Sequence, residues 1–100
     1  MIVYGAFGGR IDQTLSSINV LLKFSISKTN YDLLLIDRYN LMMFIGEGIT
    51  TIYKSNNFES EKGCGLLPIG EPADSVTTEG LKWNLKCNSL SMMGLVSTSN

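Results

Sequence analysis

The chain contains no histidine, only two cysteines and two prolines, and a single tryptophan among its 100 residues. The lack of histidine excludes a Ser-His-Asp triad, a Cys-His pair and a histidine-bearing zinc site within this sequence. Cys64 and Cys87 form neither a Cys-x-x-Cys pair nor the spacing of a disulfide framework. We therefore interpret them as buried small hydrophobic residues of a protein in a reducing compartment.

Long apolar runs and an excess of one charge are also missing. The longest apolar runs, residues 33–36 and 41–45, have the length of strands and are too short to span a membrane. The net charge is -1 and no stretch concentrates Lys or Arg, so nucleic acid and anionic membranes are poor partners on electrostatic grounds. These features predict a globular cytoplasmic protein that binds neither nucleic acid nor membrane.

The first part of the chain has the pattern of a strand, a turn and a helix. Residues 2–4 are β-prone, residues 5–10 form a glycine-rich turn, and residues 12–24 are predicted to form an amphipathic helix. Two further strands, 33–36 and 41–45, flank a polar turn and predict a hairpin, and residues 54–63 predict a mobile loop.

The remaining sequence has only strand-like segments, at residues 65–69, 75–78, 81–85 and 90–98, separated by turn residues. This spacing is typical of a β-sandwich or barrel. The predicted fold class is therefore α+β, with the edge of an α/β (Rossmann-like) domain in residues 1–40 and an antiparallel β-sandwich in residues 41–100.

Three stretches carry a family resemblance. Residues 8–13, Gly-Gly-Arg-Ile-Asp-Gln, are similar to Gly-Gly-Arg-Phe-Asp-Gln of the eukaryotic thiamin pyrophosphokinase family. Residues 62–85, KGCGLLPIGEPADSVTTEGLKWNL, resemble the family's Cys-Gly-Leu-x-Pro-x-Gly and Thr-Thr-x-Gly-Leu-Lys-Trp-Asn-Leu segments, and residues 95–100 resemble its Leu-Val-Ser-Thr-Ser-Asn. The order and separation also match, so the chain resembles a central-to-C-terminal piece of such a protein.

The resemblance implies transfer of pyrophosphate from ATP, with Mg²⁺, to the hydroxyl of thiamin, giving thiamin diphosphate and AMP. It implies a catalytic α/β domain followed by a thiamin-binding sandwich. It also implies a homodimer whose active sites form where the α/β domain of one subunit meets the sandwich of the other.

The glycine turn is the candidate ATP site. Gly8 and Gly9 allow backbone N–H groups to face phosphate oxygens at a helix N-terminus, and Arg10 supplies a planar fork that suits phosphate. The alternative is an ordinary strand-to-helix turn, with Arg10 solvated or paired to Asp12. Asp12 is the candidate catalytic and magnesium-binding residue, and its alternative is a helix N-cap or first-turn acid.

Three residues are candidate thiamin contacts. Gln13 either hydrogen-bonds the pyrimidine or faces solvent. The face of Trp83 can stack on the pyrimidine or attract the cationic thiazolium, whereas alternation with Leu81 and Leu85 favours a core position. Ser97 matches a serine that contacts thiamin in the family, and its alternative is a strand-end hydroxyl.

Two functions other than the enzyme remain open at the sequence level. One is a catalytically incomplete thiamin-binding or dimerising β-sandwich that lacks the family's N-terminal acidic motifs. The other is a β-rich structural module without a ligand.

Overall fold

The computed structural model describes residues 1–27, 29–53 and 63–100 and divides into two compact units, Met1–Ile52 and Tyr53–Asn100. One helix and five strands lie within these described residues, so the predicted mixture of α and β structure is confirmed. In the same ranges no helix has both the length and the apolar character needed to cross a membrane.

The first unit is built on a parallel pair of strands. Strand β1 (Ile2–Tyr4) pairs with β2 (Leu34–Ile36), with Ile2 opposite Leu34. Parallel strands need a crossover connection, and helix α1 (Ile11–Ile26) provides it, as the periodicity over residues 12–24 predicts. Beyond β1, the N–H of Gly5 donates to the carbonyl of Ile36 at 2.7 Å, which fixes the start of the glycine turn against the sheet.

Strand β3 (Leu41–Met43) runs antiparallel to β2 and confirms the predicted hairpin. Asp37 builds its turn: one carboxylate oxygen accepts from the N–H of Tyr39 at 2.7 Å and of Asn40 at 2.6 Å. Such local side-chain bonding is why Asp and Asn are favoured in turns. Because β3 pairs with β2, residues 41–43 belong to the first compact unit, and the assignment of functional domains stays a prediction.

The core of the first unit is small. Leu21 of α1 packs with Leu33 and Leu35 at the sheet, and Phe7 and Phe24 close over them. This is one face of the predicted amphipathic helix, and the burial of these side chains is what holds the helix on the sheet.

The second unit holds strands β4 (Ala73–Val76) and β5 (Asn88–Leu90), which pair antiparallel with a register shift. An isolated antiparallel bridge joins Leu66 to Ser97, so the predicted strands 65–69 and 90–98 form only in part. The predicted loop at residues 54–63 lies, except for Gly63, outside the described residues.

The predicted strand over residues 81–85 is wrong, because side-chain bonds hold this segment in a turn. Asn84 Oδ1 accepts from the N–H of Leu81 at 3.0 Å, and Thr78 Oγ1 accepts from the N–H of Leu85 at 2.8 Å. These bonds give the backbone an alternative to a sheet ladder.

The expectation that both cysteines are buried is also wrong, since both are free and exposed. Cys87 adopts φ 50° in a turn, where its N–H donates to Thr77 Oγ1 at 3.0 Å. Its position is set by this turn, and the thiol therefore remains at the surface.

Candidate functional site

The glycine turn of the first unit joins β1 to α1 through left-handed backbone conformations. Gly5, Gly8 and Gly9 have φ values of 80°, 95° and 67°. Side chains other than glycine rarely adopt this region, so the path of the turn depends on glycine. Helix α1 follows directly, and the N–H groups of its first turn have no partners within the helix. The turn and this helix end are the part of the predicted ATP site that the backbone supplies.

Arg10 and Asp12 form an ion pair at the start of α1. Arg10 Nε donates to Asp12 Oδ1 at 3.1 Å, and Arg10 Nη2 donates to Asp12 Oδ2. Both side chains are largely solvent-exposed, at 75% and 60%. The alternative role of Arg10 as a partner of Asp12 is therefore realised in the structure.

Asp12 is a first-turn acid and does not cap the helix. The N-cap position is Arg10, which makes no side-chain capping bond, while Asp12 Oδ1 accepts from the N–H of Gln13 at 3.0 Å. The Gln13 residue is exposed, next to Asp12. An acidic residue in the first turn of a helix is favoured by the helix dipole.

The donor set around Asp12 fits magnesium as a single carboxylate ligand. Mg²⁺ in nucleotide enzymes is commonly held by one or two carboxylates together with substrate phosphates and water. Across the described ranges, no three Cys, Asp or Glu side chains come together as a metal-binding group. A magnesium ion at Asp12 would therefore take its other ligands from phosphate oxygens and water, and Arg10 would compete with the ion for the same carboxylate oxygens.

The second unit contains an open cavity of about 260 Å³ on which both predicted thiamin contacts of this unit lie. Its lining residues are Trp83, Asn84, Leu85, Leu95, Val96, Ser97, Thr98 and Asn100. The wall combines aliphatic side chains with neutral polar groups, and none of these lining side chains carries a charge. The volume lies just below the roughly 300–1,000 Å³ of pockets for drug-sized molecules, which suits one ring of a small ligand.

Trp83 contributes an accessible aromatic face to this cavity. It is 65% exposed, so the interpretation of Trp83 as a core residue is wrong. Its segment is a turn and not a strand, and the alternation with Leu81 and Leu85 therefore does not direct it inward. The ammonium of Lys82 lies 5.5 Å from the centroid of the ring, within the distance range of a cation–π contact.

Ser97 lines the same cavity and is buried, at 6% exposure. Its backbone pairs with Leu66 in the antiparallel bridge, where the Leu66 N–H donates to the Ser97 carbonyl at 2.7 Å. Asn100 Nδ2 donates to Ser97 Oγ at 2.7 Å, and Asn100 Oδ1 accepts from the N–H of Trp83. Asn100 thus links two residues that sequence reasoning selected.

Sequence reasoning did not select Asn100, although it ends the Leu-Val-Ser-Thr-Ser-Asn stretch. Its bond to Trp83 spans 17 positions of the chain, and no local pattern reveals such a contact. The structure brings Gly8, Gly9, Arg10, Asp12 and Gln13 together in the first unit. It brings Trp83 and Ser97 together in the second unit.

Comparison with known proteins gives consistent matches. A family model for the vitamin B1 binding domain of thiamin pyrophosphokinase matches residues 49–100. Thiamine pyrophosphokinase 1 of rice (Oryza sativa subsp. japonica) is 40% identical over 100 residues, which is 100% of this chain and 36% of the relative. Thiamine pyrophosphokinase 3 of rice is 41% identical over 96 residues, covering 96% of this chain and 34% of the relative.

A more distant organism gives the same result. Thiamine pyrophosphokinase of Saccharomyces cerevisiae is 36% identical over 103 residues, with 100% of this chain and 32% of the relative covered. The chain therefore spans about a third of the length of the curated relatives it matches.

Proposed function

The chain belongs to the thiamin pyrophosphokinase family, and on that premise we propose that it acts in the transfer of pyrophosphate from ATP to thiamin. The second unit binds thiamin and the first unit handles the phosphates of ATP. One observation carries the proposal: Trp83 and Ser97, from separate segments, lie on one open cavity within the part of the chain that the family model matches.

The cavity suits the chemistry of thiamin, which has an aromatic pyrimidine and a cationic thiazolium. An accessible Trp83 face provides stacking for the first and a cation–π contact for the second, worth about 0.5–2 kcal/mol. The aliphatic wall of Leu85, Leu95 and Val96 excludes water from the flat ring. Because no lining side chain is a carboxylate, the face of the Trp83 ring is the group that recognises the positive charge of the thiazolium.

The glycine turn supports the nucleotide side of the proposal. Gly8 and Gly9 leave backbone N–H groups near the helix N-terminus accessible to phosphate oxygens, because a glycine carries no side chain there. Arg10 neutralises phosphate charge once it leaves Asp12, and its fork geometry suits two oxygens at once. Gln13, on the exposed side of the same helix turn, is a second polar contact for thiamin in this proposal.

The reaction makes one bond and breaks one. The hydroxyl oxygen of thiamin attacks the β-phosphorus of ATP, the bond from that phosphorus to the α,β-bridging oxygen breaks, and AMP leaves. The hydroxyl proton passes to a base, for which we propose the carboxylate of Asp12. Magnesium supplies charge neutralisation on the phosphates when bound, and Asp12 would be its ligand from this chain.

The finer architecture is part of the same proposal. The β1–α1–β2 unit is the edge of a Rossmann-like catalytic domain, and the strands of the second unit belong to an antiparallel β-sandwich. The parallel pairing of β1 with β2 across a helix supports the first assignment. The antiparallel pairing of β4 with β5 supports the second. A homodimer located in the cytoplasm is also proposed. Sedimentation analysis tests the dimer directly.

A second candidate function is a thiamin-binding chain without turnover. The observation that favours it is the single carboxylate in the described part of the candidate metal site, because phosphoryl transfer enzymes generally position more than one group around the metal ion. The two candidates share the thiamin pocket and differ only in the production of AMP and thiamin diphosphate.

The decisive experiment measures thiamin binding and turnover on the natural polypeptide that contains these residues. Calorimetry gives the thiamin affinity, and product analysis gives AMP and thiamin diphosphate from ATP and thiamin. We expect Trp83→Leu to weaken thiamin binding by about tenfold or more while ATP binding is unchanged, since the lost ring contact is worth up to about 2 kcal/mol.

Tyr39→Leu is a matched control. Tyr39 is 71% exposed and carries Arg38 5.4 Å above its ring, so it resembles Trp83 but lies in the first unit. Binding with turnover supports the enzyme, and binding without turnover supports the second candidate. Absence of thiamin binding, or equal losses in the two variants, would contradict the proposal.

A further inference from the structure

A chain of hydrogen bonds connects the backbone of Trp83 to the hydroxyl of Ser97 through the side chain of Asn100. The Trp83 N–H donates to Asn100 Oδ1, and Asn100 Nδ2 lies 2.7 Å from Ser97 Oγ. The backbone of Asn100 is paired with Cys64, with N···O distances of 2.7 and 2.9 Å. The Asn100 amide is therefore fixed through its backbone and at both side-chain ends.

The direction of each hydrogen bond follows from the donor at Trp83. A backbone N–H can only donate, so the Asn100 atom that faces it must be the carbonyl oxygen. The amide NH₂ group of Asn100 consequently faces Ser97. That NH₂ group has no acceptor capacity, so Ser97 Oγ accepts in this contact.

A serine hydroxyl has two acceptor sites and one hydrogen to donate. The bond from Asn100 occupies an acceptor site of Ser97 and leaves its hydrogen for another partner. Ser97 is 6% exposed and lines the cavity beside the Trp83 ring, so a ligand in this cavity is placed to accept that hydrogen.

We propose that Asn100 is a positioning residue that makes Ser97 a hydrogen-bond donor to a ring nitrogen of the bound aromatic group. This inference rests on the proposed function, because the aromatic group is then the pyrimidine of thiamin. When that ring stacks on Trp83, its edge faces the neighbouring wall of the cavity. A ring nitrogen only accepts and matches a donating hydroxyl, whereas the exocyclic amino group of the pyrimidine donates.

Asn100→Asp tests the polarity with little change of shape. One oxygen of the new carboxylate still accepts from the Trp83 N–H. The other oxygen can only accept, so it captures the Ser97 hydrogen and removes the donor from the cavity. We expect thiamin affinity to fall about tenfold at neutral pH in the natural polypeptide, with ATP affinity unchanged.

The pH dependence separates this role from a merely structural one. A carboxyl has an ordinary pKa of about 3.9 and becomes a donor when it is protonated. Relative to the unmodified protein at the same pH, the loss in Asn100→Asp should therefore shrink as the pH falls toward that value. A structural defect would leave the ratio of the two affinities constant.

The double variant and a ligand analogue complete the test. Ser97→Ala should lose a similar factor, and adding Asn100→Asp to it should cause no further loss. A thiamin analogue with CH in place of the accepted ring nitrogen should bind the unmodified protein about tenfold more weakly, and Ser97→Ala should not distinguish the two ligands. This comparison does not depend on the folding of the Asn100 variant.

The outcomes separate the inference from the proposed function. If Ser97→Ala weakens thiamin binding but Asn100→Asp binds normally, or its loss is additive or independent of pH, the inference is wrong and the proposed function stands. If the unmodified protein does not bind thiamin, both are wrong.

Discussion

Arg10 and Asp12 form an ion pair with two hydrogen bonds at the beginning of helix α1. In the proposed function the two residues have different partners: Arg10 binds phosphate, and Asp12 binds magnesium. The ion pair neutralises both charges at the start of the helix. In the proposed function, magnesium and ATP phosphate would replace this ion pair with two new contacts. The replacement would cost little, because exposed ion pairs contribute only about 0–1 kcal/mol.

Asp12→Asn should lower turnover by at least an order of magnitude and raise the magnesium concentration needed for half-maximal rate. The KM for ATP should not rise, because Arg10 loses its intramolecular partner and remains available to phosphate. Asp12 is exposed, so the free energy of unfolding should change by less than about 0.5 kcal/mol. Steady-state kinetics and chemical denaturation measure these quantities.

Asp74→Asn is the control, since Asp74 is an exposed acid on β4 of the second unit. Because Asp74 belongs to neither the glycine turn nor the cavity lining, this variant should leave turnover and magnesium dependence unchanged. Normal turnover in Asp12→Asn would remove Asp12 from both the metal site and the proton transfer.

Lys82 is a cation already placed on the face of Trp83, 5.5 Å from the ring centroid. A thiazolium that uses this face must displace the ammonium. Lys82→Met should therefore tighten thiamin binding by roughly two- to fivefold, the equivalent of about 0.5–1 kcal/mol for an exposed cation–π contact. Calorimetric titration of thiamin measures the change.

Lys86→Met provides a charge-matched control in the same unit, because it removes one positive charge from a residue that does not line the cavity. It should change thiamin affinity little. Weaker binding in Lys82→Met would indicate that Lys82 contacts the ligand and does not compete with it.

The sequence predicted those parts of the molecule that local chemistry decides. Helix α1 follows from its apolar spacing, and the β2–β3 hairpin follows from the turn chemistry of Asp37 and Asn40. The alternation of Leu81, Trp83 and Leu85 predicts a strand with Trp83 facing the core, because such a pattern considers only side-chain packing and no side-chain hydrogen bonds. The Asn84 side chain instead bonds the N–H of Leu81 and forms a turn, which leaves Trp83 in solvent.

Side-chain hydrogen bonds between distant residues also explain why the sequence analysis identified Trp83 and Ser97 but not Asn100. The resemblance selected residues by motif, and a motif marks positions without giving the bonds between them. Asn100 acts through one partner three positions away and another 17 positions away. The bridge between Leu66 and Ser97 and the neighbouring bonds between Cys64 and Asn100 hold the segment that carries Ser97 and Asn100, and these are contacts between distant parts of the chain.

Asp37 should make the stability of the first unit depend on pH. Hydrogen bonds from the N–H of Tyr39, then from the side chain and N–H of Asn40, hold the pKa of the Asp37 carboxyl below its ordinary value of 3.8. A lowered pKa means that the carboxylate stabilises the folded state above pH 3.8, and that this stabilisation disappears as the pH falls through the folded-state value.

Asp37→Ala should therefore lower the denaturation midpoint at neutral pH, and the difference from the unmodified protein should vanish well below pH 3.8. Asp37→Asn keeps an amide oxygen that can accept from the backbone, so its loss should be smaller. Denaturation followed at several pH values checks both. A difference that persists unchanged in acid would show that the turn is stabilised by something other than the carboxylate charge.

Gly65 tests whether the pairing of residues 64–66 with 97–100 builds the proposed thiamin pocket. A Cβ atom at Gly65 would lie 3.1 Å from the carbonyl oxygen of Ser97, which also accepts from the N–H of Leu66 at 2.7 Å. The carbonyl belongs to a backbone held on both sides, so it cannot move without weakening the bridge. Gly65→Ala should therefore destabilise the protein by about 1–3 kcal/mol and weaken thiamin binding as Ser97 and Asn100 shift.

Gly63→Ala is the matched control from the same segment. Its nearest contact is Ser99 Cα at 3.4 Å, which is an ordinary van der Waals separation, so both stability and thiamin affinity should change little. The comparison isolates steric pressure on the Ser97 carbonyl from the general effect of replacing glycine. Equal behaviour of the two variants would mean that the Ser97 segment adjusts freely, and the position of Ser97 would then not depend on its pairing with Leu66.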